Sequence, residues 1–346
     1  MAKLASLIAL CVFTFSVQAR DQIKIVGSST VYPFASFVAE EFGSVSRYPT
    51  PVVESTGTGG GMKLFCTDNS LDSPDITNAS RRIKIKELHL CERNGVSNIT
   101  EVMFGYDGIV LAQSKANKPF NVSKKDMLLA LAKKVPNKEG TALIDNPYTN
   151  WNQINPALPD RKITVYGPPI SSGTRDAFEE IVLQYQTEEM KVYRDAGLKG
   201  YRVIRSDGVY IPSGENDNLI VKQLTKDKLA LGIFGYSFLT ENEDTIAGVD
   251  IDNVSPSSES IASKDYPISR SLFFYVKNDH IEKVPAIKEY IEMFLNVDII
   301  GEDGLLTEIG LIPMGEEEID HSLSEALEQK QLELDVLEDA LHVSQR

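Results

Sequence analysis

Between residues 23 and 92 the chain runs through one unit three times: a short apolar run, a turn of small polar residues, then a stretch with helical spacing. IKIV (23–26) passes through GSST into a helical stretch at about 33–42, and PVVES (51–55) passes through TGTGGG into MKLFC. DITNAS (75–80) passes into RRIKIKELHLCE. A chain that alternates in this way folds into a parallel sheet flanked by helices, because parallel strands need a crossover between them. The same pattern says where a ligand goes. In open α/β sheets it sits beyond the carboxyl ends of the strands, where turns and helix N-termini gather.

Two further strand-like runs, 99–104 and 108–112, follow without a long helix between them and read as a crossover into a second lobe. That lobe holds DMLLALAKK, the stretch YGPPISSGTRDAF (166–178), a helix at about 176–193, NLIVKQLTKD and an apolar strand at 229–239. RSLFFYVK (270–277) then returns to the first lobe, with helices at 285–297 and 305–310. The expected organisation is α/β, with lobe I from 20–107 and 268–315, lobe II from 108–267, and a cleft between them. The tail, 316–346, is acidic and helical. Leu323, Leu327, Leu334, Leu337 and Leu341 fall at coiled-coil-like spacing, but Lys330 interrupts the seam. The expectation is a terminal helix resting one face on the lobe, with a docking or oligomer helix as the alternative.

Residues 1–19, MAKLASLIALCVFTFSVQA, have the parts of a secretion signal: Lys3, an apolar core, and Val17-Gln18-Ala19 as a cleavage pattern. The apolar run is shorter than the roughly 18–20 residues of a membrane span, so the mature protein is expected to be soluble outside the cytoplasm. Cys11 leaves with the signal. Cys66 and Cys91 remain, and an oxidising compartment makes them a candidate disulfide, two separate buried thiols being the alternative. The formal charge of -15 argues against nucleic acid and against an anionic membrane surface as partners. An anion would have to be held by local donors, which is feasible because distant charge is screened within about 8–10 Å at physiological salt. His89, His280, His321 and His342 are isolated in sequence and lack metal-ligand spacing. No metal or cofactor is expected.

Three small-hydroxyl turns stand out: Gly27-Ser28-Ser29-Thr30-Val31, Ser55-Thr56-Gly57-Thr58-Gly59-Gly60-Gly61, and Ser171-Ser172-Gly173-Thr174-Arg175. Each lies where a strand gives way to a helix, so free amides and the positive end of a helix dipole project from it. A helix cap needs only one Ser or Thr; the surplus of hydroxyls, glycines and one arginine suits an oxyanion. GTGGGMKL lacks the Gly-Lys-Ser/Thr ending of a P-loop, and GSSTV is not a G-x-S-x-G elbow.

GSSTVYPF, STGTGGGMKLFC, NASRRI, SSGTRDAFEE, GENDNLIVKQL and GIFGYSFL, in that order from about 23 to 314, resemble the extracytoplasmic phosphate-binding protein of the phosphate-specific ABC transporter. The resemblance implies a two-lobed, type II periplasmic-binding-protein fold. Such a protein is periplasmic, holds inorganic phosphate in the interlobe cleft and hands it to a membrane permease. It calls for no cofactor, and the receptor itself is expected to be a monomer. Carried over by position, the candidate ligand residues are Ser29, Thr30 and Val31 in the first turn, Thr58 and Gly59 in the second, and Ser172, Gly173 and Thr174 in the third.

Two departures qualify this set. Many members have a Ser-Asp pair where this chain has Ser80-Arg81, and an Arg shortly before the third turn where Pro168 stands. Arg81 and Arg175 are the expected substitutes for the missing arginine, and Asp217, ahead of Glu215, for the missing proton acceptor. Asn218 is a further candidate donor. A receptor for sulfate or molybdate is the alternative that the Arg81 position keeps open. A secreted phosphatase is disfavoured for want of a partnered nucleophile or metal set, and an adhesion protein has only the acidic tail to suggest it.

Overall fold

The computed structural model describes residues 20–170, 172–214 and 218–334. The signal at 1–19, Ser171, Glu215, Asn216, Asp217 and the end of the tail lie outside the described residues.

The repeated unit forms as its pattern dictates. Strands β1 (Lys24–Gly27), β2 (Val52–Ser55) and β3 (Ile76–Ala79) alternate with helices α1 (Tyr32–Val45), α2 (Thr58–Phe65) and α3 (Ile85–Arg93). Strand β1 pairs in parallel with β2 on one side and β3 on the other. Helix α1 carries Pro33 in its first turn, where no intrahelical N–H is lost. It buries Phe34, Ala35, Val38, Ala39 and Phe42, one face of a 3.6-residue period. Gly27 closes β1 at φ +131°, and a Cβ there would lie 2.1 Å from the Asn78 carbonyl oxygen. Only glycine lets the first turn pass this close to β3.

The two runs expected at 99–104 and 108–112 are one strand, β4 (Ile99–Ser114). Gly105 and Gly108 look like a break in the sequence, yet each sits where a Cβ would strike Leu311 or Ile261. The strand bends there instead, with a register shift between Leu272 and Phe273 on its neighbour. The first half of β4 pairs antiparallel with the returning strand Ser269–Lys277, which also pairs antiparallel with β3. Its second half pairs antiparallel with Leu231–Gly235 and Ile246–Gly248. Leu231–Gly235 is in turn parallel to Val165–Gly167, and that strand to Tyr210–Pro212. One nine-stranded sheet thus runs through the molecule, and β4 with Ser269–Lys277 ties its two halves.

Two expected elements differ in extent. The strand placed at 229–239 ends at Gly235, and Tyr236–Thr240 is helical. The helix placed at about 176–193 starts at Gly173, widens to a π-helix over Glu179–Gln184, and breaks at Met190 before Lys191–Asp195. Cys66 and Cys91 form a disulfide that clips the end of α2 to α3. Helix Glu316–Leu327 lies along β4, burying Ile319, Ser322 and Ala326, and Ser322 donates to the Met103 carbonyl at 2.6 Å. Leu332 then packs into the cluster that surrounds the disulfide. Among the described residues no helix is long and apolar enough to cross a membrane.

Candidate functional site

The three turns come together at the carboxyl ends of their strands. In the first, Ser28 is buried, and its hydroxyl accepts from the amides of Thr30 at 3.2 Å and Val31 at 3.4 Å. Those two amides, expected to serve a ligand, are engaged by Ser28, and Val31 is fully buried. What the first turn presents is Ser29, the Thr30 hydroxyl being committed to Gly173 and Arg270. In the second, Gly57 turns the chain at φ +71° and α2 begins at Thr58. The first-turn amides of Thr58, Gly59 and Gly60 have no intrahelical acceptor by the geometry of a helix. Thr58 and Ser80 are both buried and share a hydrogen bond at 3.1 Å, so the second turn is fixed to the end of β3.

The third turn begins α-helically at Gly173 after Ser172, again without a side-chain cap. Gly173 packs directly on the first turn. The Thr30 hydroxyl donates to the Gly173 carbonyl at 3.1 Å, and a Cβ on Gly173 would lie 2.4 Å from the Thr30 amide nitrogen. The two halves of the molecule therefore touch through the very turns that the sequence singles out.

Arg81 stands between the two walls of the cleft. Its guanidinium donates to both carboxylate oxygens of Glu87, at 2.9 and 2.8 Å, and lies 3.3 Å from Glu180 on the opposite wall. Burial pushes the Glu87 carboxyl up, but the hydrogen bonds and charge of Arg81 outweigh it and hold Glu87 below the usual range. Burial, and then the Arg81 charge, lower the neighbouring Lys84 ammonium. Arg175 does not share this task. Its Nε donates to Glu179 at 2.5 Å, Nη1 to the Pro168 carbonyl at 3.4 Å, and its plane lies 4.3 Å from the centre of the Tyr210 ring. The i,i+4 spacing to Glu179 and the burial of the side chain turn it away from the cleft. Arg175, expected as one substitute for the missing arginine, lines none of the cavities around the turns.

Three cavities lie along these turns; the first and second share Ser29 and Ser172, and the first and third share Arg81 and Glu180. One, of about 480 Å³, is lined by Ser29, Thr58, Gly59, Arg81 and Ser172 of the expected set, with Lys84, Asp176, Glu180 and Arg202. A second, of about 420 Å³, is lined by Ser29, Thr30, Ser172, Gly173 and Thr174, with Asp107. A third, of about 460 Å³, has Ser80 and Arg81 in its wall. Asn218 is exposed at the start of its helix and lines none of the three.

Sequence reading missed Arg270, Asp107 and Glu180. Arg270 and Asp107 are register partners on the two tie strands, ion-paired at 3.1 Å, and Arg270 Nη2 also donates to the Thr30 hydroxyl at 2.6 Å. Its side chain is only 8% exposed. The signal available was a charged residue opening a strand run with an apolar interior, RSLFFYVK. Glu180 follows Asp176 and precedes Gln184 at intervals of four, and all three line the first cavity. That stripe was legible as one polar helix face.

The sequence matches the PBP superfamily domain over residues 16–297. It is 30% identical over 305 residues to "Protein SphX" of Synechocystis sp., covering 87% of this chain and 80% of that protein. It is 28% identical over 283 residues to "Phosphate-binding protein PstS" of Staphylococcus haemolyticus, covering 80% and 77%. Among solved structures it resembles a possible phosphate binding protein from Planctomyces limnophilus, with a TM-score of 0.72, 27% identity, and coverage of 90% of this chain and 99% of that one.

Proposed function

The chain belongs to the PBP superfamily, and from that premise we propose that it binds inorganic phosphate outside the cytoplasm and delivers it to the membrane permease of an ABC transporter. Proteins of this kind bind rather than catalyse, and their relatives here include phosphate-binding proteins. The observation that carries the reading is the convergence of Ser29, Thr58, Gly59, Arg81 and Ser172 on one cavity walled from both halves of the sheet. Hydroxyls, helix-start amides and one guanidinium match the four acceptor oxygens of phosphate.

We assign lobe I to 20–107 and 268–315 and lobe II to 108–267, with the tail from 316 serving to brace lobe I. Thr30, Ser80, Gly173 and Thr174 complete the ligand shell, and residues 1–19 direct a monomeric receptor to the periplasm. Closure follows if the ligand prefers the state in which the turns meet. Asp217 remains the assigned proton acceptor, by which monohydrogen phosphate is told from sulfate.

The test is calorimetric titration of the mature protein, stripped of ligand by unfolding and refolding, with phosphate, sulfate and molybdate between pH 5 and 9. Saturable binding of one phosphate, with sulfate at least about 100-fold weaker, supports the reading. Equal affinity for phosphate and sulfate would leave a general oxyanion receptor, the reading favoured by Arg81 in place of an acid, and no binding would end it. Asp217→Asn should raise sulfate affinity relative to phosphate; an unchanged ratio removes Asp217 from the site.

A further inference from the structure

The third cavity is a positively charged room in an acidic protein. Arg81, Arg82, Lys124, Lys264 and Arg270 line it against a single lining carboxylate, Glu180, although the whole chain carries a formal charge of -15. Three of the five cations have partners. Arg81 is held by Glu87 and Glu180, Arg82 by Glu101 at 2.8 Å, and Arg270 by Asp107 at 3.1 Å. Lys124 and Lys264 form no ion pair among the described residues. Lys264 instead extends over the Tyr106 ring, 5.9 Å from its centre, and its backbone lies at φ 67°, a region that a lysine rarely adopts.

We propose that this cavity is a second anion subsite, which takes the distal negative group of a phosphorylated ligand larger than orthophosphate. The inference rests on the phosphate reading of the neighbouring cavity. Arg81 and Glu180 stand in the walls of both cavities, so the two rooms meet at the Arg81 guanidinium. A phosphoryl group held by Thr58 and Ser172 on one side of Arg81 leaves a covalently attached anion on the other, toward Lys124 and Lys264. A cleft lined by five cations and one carboxylate focuses the field on such a group, and the two ammonium groups without a carboxylate partner supply charge-assisted hydrogen bonds. Tyr185 and Ser269 add hydroxyls to the same wall. Met103 and Phe273 leave part of the lining apolar, so a ligand that neutralises the lysines need not be wholly polar.

Inorganic diphosphate is the probe. Lys124 opens a helix, where a cation opposes the dipole, and Lys264 has a backbone suited to glycine. Lys124→Gln and Lys264→Gly therefore remove the charges without harming the fold, which the ligand-free melting temperature verifies. Calorimetry on the stripped full-length mature protein should show diphosphate binding at least as tight as orthophosphate. Each substitution should weaken diphosphate about 10-fold, while orthophosphate affinity stays within about 2-fold. Diphosphate that fails to bind, or that binds the double variant as well as the parent, overturns the inference and leaves the orthophosphate reading intact. If orthophosphate fails to bind but diphosphate binds and depends on both lysines, the subsite stands and the orthophosphate reading falls.

Discussion

Gly173→Ala isolates the contact between the two turns. The added Cβ would lie 2.4 Å from the Thr30 nitrogen, 2.6 Å from the Ser29 carbonyl carbon and 2.7 Å from the Thr30 Cα. All three are backbone atoms, so no rotamer change relieves the clash. Separation to 3.0 Å, below which real Cβ contacts essentially never fall, requires the turns to part by at least about 0.6 Å. That stretches the 3.1 Å bond from the Thr30 hydroxyl to the Gly173 carbonyl beyond useful range. Locally the substitution does no harm, since alanine favours helix more than glycine does. The cost, about 1–3 kcal/mol for overpacking, therefore falls on the closed arrangement alone, and phosphate affinity drops about 5- to 150-fold. Titration calorimetry reads the loss. A thermal melt without ligand should stay within about 2 °C of the parent, because an opened cleft has no clash. Gly61→Ala is the control. Its Cβ would lie 2.4 Å from the Gly27 Cα within one lobe, where opening offers no escape, and its melt should fall with or without phosphate. If Gly173→Ala binds phosphate within 2-fold of the parent and melts alike, the turns do not meet in the bound state and the reasoning fails.

Arg270→Ala breaks a buried pair and should lower stability by about 3–5 kcal/mol. Adding Asp107→Ala should restore most of that in denaturant unfolding, yet leave phosphate affinity low because Thr30 has lost the donor that positions it; recovery of both would make the pair merely structural. Replacing Cys66 and Cys91 by alanine opens a loop closed across a separation of 25 residues. That should cost about 3 kcal/mol and roughly 5–10 °C of melting temperature, and an unchanged melt would refute it. Burial pushes the Lys277 ammonium down to about 8, against about 10.4 in an unfolded chain. Between those values the unfolded state binds more protons, so the buried charge is a liability that fades as pH rises. The parent should gain stability relative to Lys277→Met between pH 7.5 and 10, and a constant difference over that range would show that Lys277 does not titrate there.

The N-terminal half of the sheet was legible because its strands are short, separated by turns, and alternate with helices whose apolar faces repeat correctly. The tie between the halves was not. Gly105 and Gly108 carry the composition of a turn, and only the approach of Leu311, Ile312 and Ile261 from distant segments makes them strand residues. The site divides in the same way. Ser172 and Thr58 of the candidate site could be read from local turn chemistry, whereas the withdrawal of Arg175 and the reach of Arg270 could not. Arg175 adjoins the turn in sequence but is drawn off by Glu179 four residues on. Arg270 lies 240 residues from Thr30 and reaches it only because the returning strand pairs with β4. Ser28, adjacent to the expected donors, illustrates the converse: a local hydroxyl accepts from the amides of Thr30 and Val31.

How an acidic chain holds a dianion follows from where its charges are. At 4 Å and an effective dielectric of about 20, a unit pair interacts by about 4 kcal/mol, while surface charge beyond about 8–10 Å is screened. The formal -15 is thus nearly silent inside the cleft, and the local set decides. There Arg81 is already balanced by Glu87 and faces Glu180, so a phosphate entering the first cavity meets little net positive charge. What it meets are oriented dipoles: the start of α2, the start of the helix at Gly173, and the hydroxyls of Ser29, Thr58 and Ser172. In the second turn the buried Thr58–Ser80 bond holds them in place. Glu180 is the exception. Its carboxylate stands 3.3 Å from Arg81 across the cleft and joins the two halves. A dianion beside Arg81 competes with Glu180 for the same guanidinium, so the ligand replaces a link between the lobes rather than adding one. On the proposed reading, closure would then be driven by the hydrogen bonds that the oxyanion makes to both helix starts at once.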